Sequence, residues 1–172
     1  MSTSQAIYDE ERRVLDTILT AHSTRQTQLM RSTTTLAHPY RQTIEERQQA
    51  IEGLRQRIRN LCPTTLEDFA LKNADEHDVV ETFAIGPPFV PVTDNEFRLA
   101  LSEHGWHGLA SQYPGTKGII DFSRIGLSDD ATQALVYFGH LAAAKSGIGS
   151  YRLFNKRDNK WEQGGALRAW IS

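Results

Sequence analysis

Apolar and polar positions change period three times along the chain. From Ile7 to His22, apolar positions recur at helical spacing (Ile7, Val14, Leu15, Ile18, His22). Glu10, Glu11, Arg12 and Arg13 lie on the other faces, which predicts an amphipathic helix with Ser4 as its N-cap. The stretch TRQTQLMRSTTTL is rich in β-branched threonine and predicts a strand over Gln26 to Leu36. His38-Pro39-Tyr40 breaks the chain, because proline disfavours helix at the residue before it. A second helix is expected over Thr43 to Leu61, with Ile44, Ile51, Leu54, Ile58 and Leu61 forming an a/d stripe. The stripe runs for little more than two heptads. That is short of the ~3–4 repeats of a sustained coiled coil, so it predicts packing on the protein's own sheet ahead of pairing with a second copy.

Pro63 stops that helix. Thr64 to Asn73 predicts a short third helix, with a capping-box spacing in Thr64/Glu67 or Thr65/Asp68. NADEHDVVE reads as a loop, and TFAIGPPFVPV as extended chain whose prolines forbid both helix and a central strand. Thr93 and Glu96 open another helix carrying Phe97, Ala100, Leu101, Trp106 and Leu109, with Gly105 and Gly108 making its end irregular. Tyr113-Pro114-Gly115 is a turn. Four short runs with turn chemistry between them follow: GIIDFSRIGL, TQALVYFGHL, SYRLFNK and ALRAWIS predict four strands. Asp158-Asn159 sits where a tight hairpin turn belongs.

These elements predict one α+β domain. An antiparallel β-meander of about four to five strands packs on N-terminal amphipathic helices. The helical, arginine-rich segment is 1–62, mixed helix and loop is 63–117, and the meander is 118–172. The expected core comprises Val14, Ile18, Ile51, Ile58, Phe69, Phe97, Leu101, Ile120, Phe122, Leu135, Tyr137, Leu153 and Trp170. The chain has 172 residues, ample for one hydrophobic core.

Charge and composition narrow the function classes. The net charge is −2, which argues against general nucleic-acid affinity. Residues 1–62 hold nine arginines, no lysine and seven acids, whereas residues 63–172 hold ten basic and fourteen acidic residues. No apolar run approaches the ~18 residues of a membrane span, and no basic segment followed by an apolar run opens the chain. The expected location is the cytoplasm, although an exported mature domain would look the same. Cys62 is the only cysteine, which excludes an internal disulfide and a Cys-based zinc site. At the end of an apolar stripe, it reads as a small buried hydrophobe.

The strict motifs of phosphate loops, dinucleotide sites, zinc proteases and EF-hands are absent. His104 and His107, three apart, could share a helix face and hold zinc with a third ligand. Gly105 between them and the lack of a completing carboxylate favour surface histidines. Asp121, Ser123 and His140 can supply an acid, a nucleophile and a base. No G-x-S-x-G turn exposes the serine, and polar residues on a sheet's solvent face explain the same pattern. Arg124 could clamp a carboxylate or phosphate, or pair with Asp121, Asp129 or Asp130 as a structural ion pair. Trp106, Trp161 and Trp170 suit a core as well as an interface.

The run FSRIGLSDDATQALVYFGH, then SYRLFNKRDNKW and a closing AWIS, resembles a family of uncharacterised bacterial proteins with an S-R-[VI]-G-[FL] … Q-A-L-V-Y … Y-x-L-[LF]-x-K … W-[VI]-S block. Upstream, DFALKN and the GW…YPGTKGII stretch are similar to it as well, so the likeness covers about Leu66 to Ser172. Members often carry a Cys-x-x-x-Cys pair where this chain has Ala142-Ala143-Ala144-Lys145, and many are exported. The resemblance implies a fold unit and no particular reaction or cofactor. The functional expectation is a non-catalytic binding or protein-interaction module of the accessory or immunity type, with another protein as partner. It would be a monomer or a weak homodimer through Ile44, Ile51 and Ile58. The alternative is a small hydrolase or ligand-binding enzyme around Asp121, Ser123, Arg124 and His140.

Overall fold

The computed structural model describes residues 3–22, 28–31, 43–83, 85, 88–116, 118–143 and 146–172. The first helix, α1, is Thr3–His22, and it starts ahead of Ser4, which is therefore not its cap. Strand β1, Gln28–Arg31, falls inside the predicted threonine-rich strand. The rest of that prediction and the His38-Pro39-Tyr40 break lie outside the described residues. Helix α2 is Ile44–Arg57, capped by Thr43 in a reciprocal box with Glu46. It ends short of the predicted Leu61, because Ile58 is already extended and Asn60 takes a left-handed φ of 61°. Helix α3, Pro63–Lys72, has proline at its first position, where a missing N–H costs nothing. Its N-cap is Cys62, so neither predicted threonine box forms.

A one-turn helix, α4, Val79–Phe83, starts in the acidic stretch expected as loop and takes in Thr82 and Phe83, expected as extended chain. Strand β2 is Phe89–Val92, helix α5 is Asp94–Gln112, and then come β3, Ile119–Phe122, and the two-residue β4, Gly126–Leu127. Three long strands follow: β5, Gln133–Ala143; β6, Ser146–Arg157; and β7, Lys160–Ile171. The Thr93/Glu96 box closes as the spacing predicts. Thr93 Oγ1 accepts from the Glu96 N–H at 3.2 Å, and Glu96 Oε2 accepts from the Thr93 N–H at 2.7 Å.

Among the described residues, seven strands form one sheet in the order β2-β1-β3-β5-β6-β7, with β4 on β5. The sheet is mixed, which corrects the expected pure antiparallel meander. β1 pairs in parallel with both β2 and β3, while β3 through β7 are antiparallel. Parallel neighbours need long crossovers, and the helical segments between β1, β2 and β3 supply them. β2 sits at an edge, where Pro91 takes no donor from the ladder.

Helices cover both faces of the sheet rather than one. Alternation along a strand sends neighbouring residues to opposite sides. Met30, Ile120, Phe122, Val136, Phe138 and Phe154 meet Val14, Leu15, Ile18 and Leu19 of α1 and Phe83 of α4. On the other face, Leu29, Val92 and Ile119 meet Phe97, Ala100 and Leu109 of α5. Beside them, Leu135, Tyr137, Tyr151 and Leu153 meet Leu54 of α2 and Leu66 and Phe69 of α3. Ile51 and Ile58 pack half-buried on this third cluster, so the a/d stripe faces the protein's own sheet. The side chain of Ile44 lies outside the description. Of the expected core, Leu101 and Trp170 are also only half-buried, and the remaining nine members are buried.

Candidate functional site

Arg124 is bound by a residue 113 positions away. Its Nε and Nη2 each donate at 3.0 Å to the two oxygens of Glu11, which is fully buried. The expected partners Asp121, Asp129 and Asp130 are not involved. Lys72 Nζ joins the same carboxylate at 2.8 Å and reaches Asp68 at 2.7 Å, and Asp68 accepts the Leu127 N–H at 2.7 Å. Asn73 closes the cluster. Its Oδ1 accepts the Arg124 N–H at 2.8 Å, and its Nδ2 donates to the carbonyls of Phe69 and Arg124. The Arg124 guanidinium lies 5.5 Å from the Tyr8 ring centre and 6.0 Å from that of Phe83. Removing one partner of such a pair strands the others as buried charges, which typically costs about 3–5 kcal/mol. Arg124 thus fastens α1 and α3 to the sheet. It is not an open anion clamp.

Ser123 is equally committed. It is fully buried, its N–H donates to the Tyr137 carbonyl at 3.1 Å, and its Oγ accepts the Tyr137 N–H at 2.9 Å. The hydroxyl therefore replaces a carbonyl in the β3–β5 ladder. Asp121 is paired with Gly139, and His140 with Ile120, so the acid and the base stand one step out of phase on alternate faces. The acid–nucleophile–base set is not assembled. His140 instead borders a hollow of about 320 Å³ at the end of α5, with Trp106, Leu109, Thr116 and Gly118. His107 is exposed on α5, and the side chain of His104 lies outside the description. Among the described residues, no three His, Cys, Asp or Glu side chains are grouped to hold a metal.

One feature of the sheet is not legible in the sequence. Asp121, Gly139, Gly149 and Trp170 form a single rung across β3, β5, β6 and β7. A Cβ at Gly139 would collide with Asp121 Oδ1 and come within 2.8 Å of Tyr137 Oη, and one at Gly149 would collide with the Trp170 indole. The two glycines therefore leave the room into which the acid and the indole lean. Trp170 Nε1 donates to Tyr137 Oη at 2.8 Å. Asp121 Oδ1 is buried with no hydrogen-bond partner, and Oδ2 lies 3.6 Å from Arg31 Nε, itself unpartnered. Arg31 Nη1 pairs with Asp94, at the start of α5, and the guanidinium lies over Phe97.

Burial drives the Asp121 carboxyl up to about 6, opposed by Arg31 and reinforced by Asp94. Burial and then the Asp121 charge push the Tyr137 phenol upward. The arrangement can take up a proton near pH 6, on a carboxyl whose Oδ1 is buried. No family model, curated protein or solved structure matches this chain.

Proposed function

We propose that this protein works as a non-catalytic interaction module, binding another protein through the surface where α1, α3 and α4 meet. The observation that carries the reading is the use the fold makes of its reactive groups. Ser123 Oγ is closed into the sheet ladder, and Arg124 is held bidentately by Glu11. The hydrolase alternative draws no support from Asp121 and His140, which register sets on alternate faces.

Large apolar side chains stand out on the same three helices: Ile7 and Tyr8 on α1, Leu71 on α3 and Val80 on α4, with exposures from 37% to 77%. Beneath them Glu11 of α1 is ion-paired with Lys72 of α3 and with Arg124, whose guanidinium also lies 6.0 Å from the Phe83 ring centre of α4; a surface held in this way loses less entropy on binding than a free one. No helix among the described residues is long and apolar enough to cross a membrane.

The test is photocrosslinking in the native host from a probe at position 8, with a probe at exposed Leu99 on α5 as control. A discrete protein adduct from position 8 alone is expected. Equal labelling from both positions would contradict the surface. A turnover abolished by Ser123→Ala in a folded protein would contradict the non-catalytic reading.

A further inference from the structure

The apolar surface on α1, α3 and α4 has a charged rim of one sign. Between the exposed Leu71 of α3 and Val80 of α4 the chain reads LKNADEHDVV, and Glu81 follows. Asp75, Glu76, Asp78 and Glu81 are exposed, and so is Glu67, one helical turn before Leu71 on α3. Among the described residues, none of these five carboxylates is ion-paired with a Lys, Arg or His. The cations nearby are engaged elsewhere. Lys72 Nζ lies 2.8 Å from Glu11, 2.7 Å from Asp68 and 3.3 Å from the Ile125 carbonyl, three acceptors for its three hydrogens. Arg124 is buried and held on Glu11. Arg12 and Arg13, exposed on α1, pair with Asp16 and Glu10.

The fold makes little use of these acids. Asp78 Oδ1 accepts the Glu81 N–H at 2.8 Å, which caps α4, whereas the other four side chains make no hydrogen bond among the described residues. Four like charges within the seven residues 75–81 repel one another, and a cationic partner relieves that repulsion. At a protein interface the apolar anchors carry most of the affinity, while rim charges steer the approach and select the partner. The surface is built from three helices, so it presents no strand edge for an extended peptide to extend. A helix brings its backbone already satisfied and needs only side-chain contacts.

Given the interaction surface proposed above, on which this rests, we propose that the partner segment docking there is a basic amphipathic helix. Its apolar residues, three and four apart, sit on Ile7, Tyr8, Leu71 and Val80, and its Lys and Arg residues face the carboxylates of Asp75, Glu76, Asp78 and Glu81.

The test places the photocrosslinking probe at position 71, 77% exposed, in extract of the native host, and the crosslinked segment is sequenced by mass spectrometry. That segment should carry several Lys or Arg residues beside apolar residues at helical spacing. Raising KCl from about 0.1 M to about 1 M shortens the Debye length from about 10 Å to about 3 Å, so the yield should fall, whereas a purely apolar contact would hold. The triple variant Asp75→Asn, Glu76→Gln, Glu81→Gln leaves the Asp78 cap in place and should melt no lower than the wild type. Its yield from dilute chain should drop about threefold or more, because each exposed ion pair contributes a factor of about 1.4 to 5 in affinity. Suppose that position 8 gives its adduct. An acidic or neutral segment at position 71, a second copy of this chain there, no adduct there, or a yield that ignores either salt or the charge change would then overturn the partner class and leave the surface standing. No adduct from either position would overturn the surface and the partner class with it. If the triple variant fails to fold, Glu76→Gln alone and the salt series still decide between these results.

Discussion

Replacing Asp121 with asparagine should alter how stability responds to pH in a way that runs opposite to most carboxylates. Its carboxyl is raised from 3.8 to about 6 in the folded protein, because burial disfavours the charge more than Arg31 rescues it. The native state therefore holds the proton more tightly than the unfolded chain does. The associated stability is fully present below about pH 4 and is lost as pH rises through about 6. A difference of about two units at about 1.36 kcal/mol each puts the cost of the ionised form near 3 kcal/mol at neutral pH, as a ceiling. An amide in place of the carboxyl keeps the shape and removes the charge. Urea unfolding of both proteins at about pH 7.5, 6.5, 5.5 and 4.8 spans the titration and gives the comparison.

The wild type should gain about 1.5 kcal/mol on going from about pH 7.5 to about 4.8 through this group, the rest of the ceiling coming only as pH falls toward about 4, and Asp121→Asn should lack that gain. Glu96 and Asp130 do not confuse the window. Hydrogen bonds from Thr93, and from Ser128 and Thr132, hold them below their ordinary values, so their contributions fade only at lower pH. Parallel pH profiles for the two proteins would refute the reasoning, because they would mean that Asp121 titrates alike in the folded and unfolded chains.

Three further outcomes follow from local geometry. Gly139→Ala places a methyl group against Asp121 Oδ1 and Tyr137 Oη, so thermal melting should report a loss of about 1–3 kcal/mol, while Gly165→Ala, which meets nothing nearby, should cost less. Thr93→Ala removes the acceptor for the Glu96 N–H and should cost about 1 kcal/mol in chemical denaturation. Asn159→Gly relieves a left-handed φ of 60° in the β6–β7 turn and should leave stability unchanged or raised by a few tenths of a kcal/mol in the same assay.

The elements legible in the sequence are those whose cause is local. The Thr93/Glu96 box lies within three residues. The Asp158-Asn159 turn follows from two residues that tolerate positive φ, which they adopt at 47° and 60°. The long strands show as apolar and β-branched runs between turns, and two of them begin earlier, at Ser146 and Lys160, than the runs SYRLFNK and ALRAWIS mark. What stays hidden depends on distant partners. Nothing near Arg124 points to Glu11, which on α1 looks like one more surface acid among Glu10, Arg12 and Arg13 until the helix is docked on the sheet. The four-residue β1 inserts between β2 and β3, and only its position there makes the sheet mixed. The rung of Asp121, Gly139, Gly149 and Trp170 exists only once three registers are set. Cys62 reads as core because the apolar stripe of α2 runs on to Leu61. The helix itself stops at Arg57, which turns the end of that stripe into the cap of the next helix.

The view that the conspicuous polar residues hold the fold together is tested most directly by a double-mutant cycle on Glu11 and Arg124, read as unfolding free energy. Glu11→Gln, Arg124→Gln and the double variant should show a coupling of about 2–3 kcal/mol, with the double variant far less damaged than the two single losses added together. Additive effects with no coupling would contradict the account, and would return Arg124 to the role of a group held ready for something outside the protein.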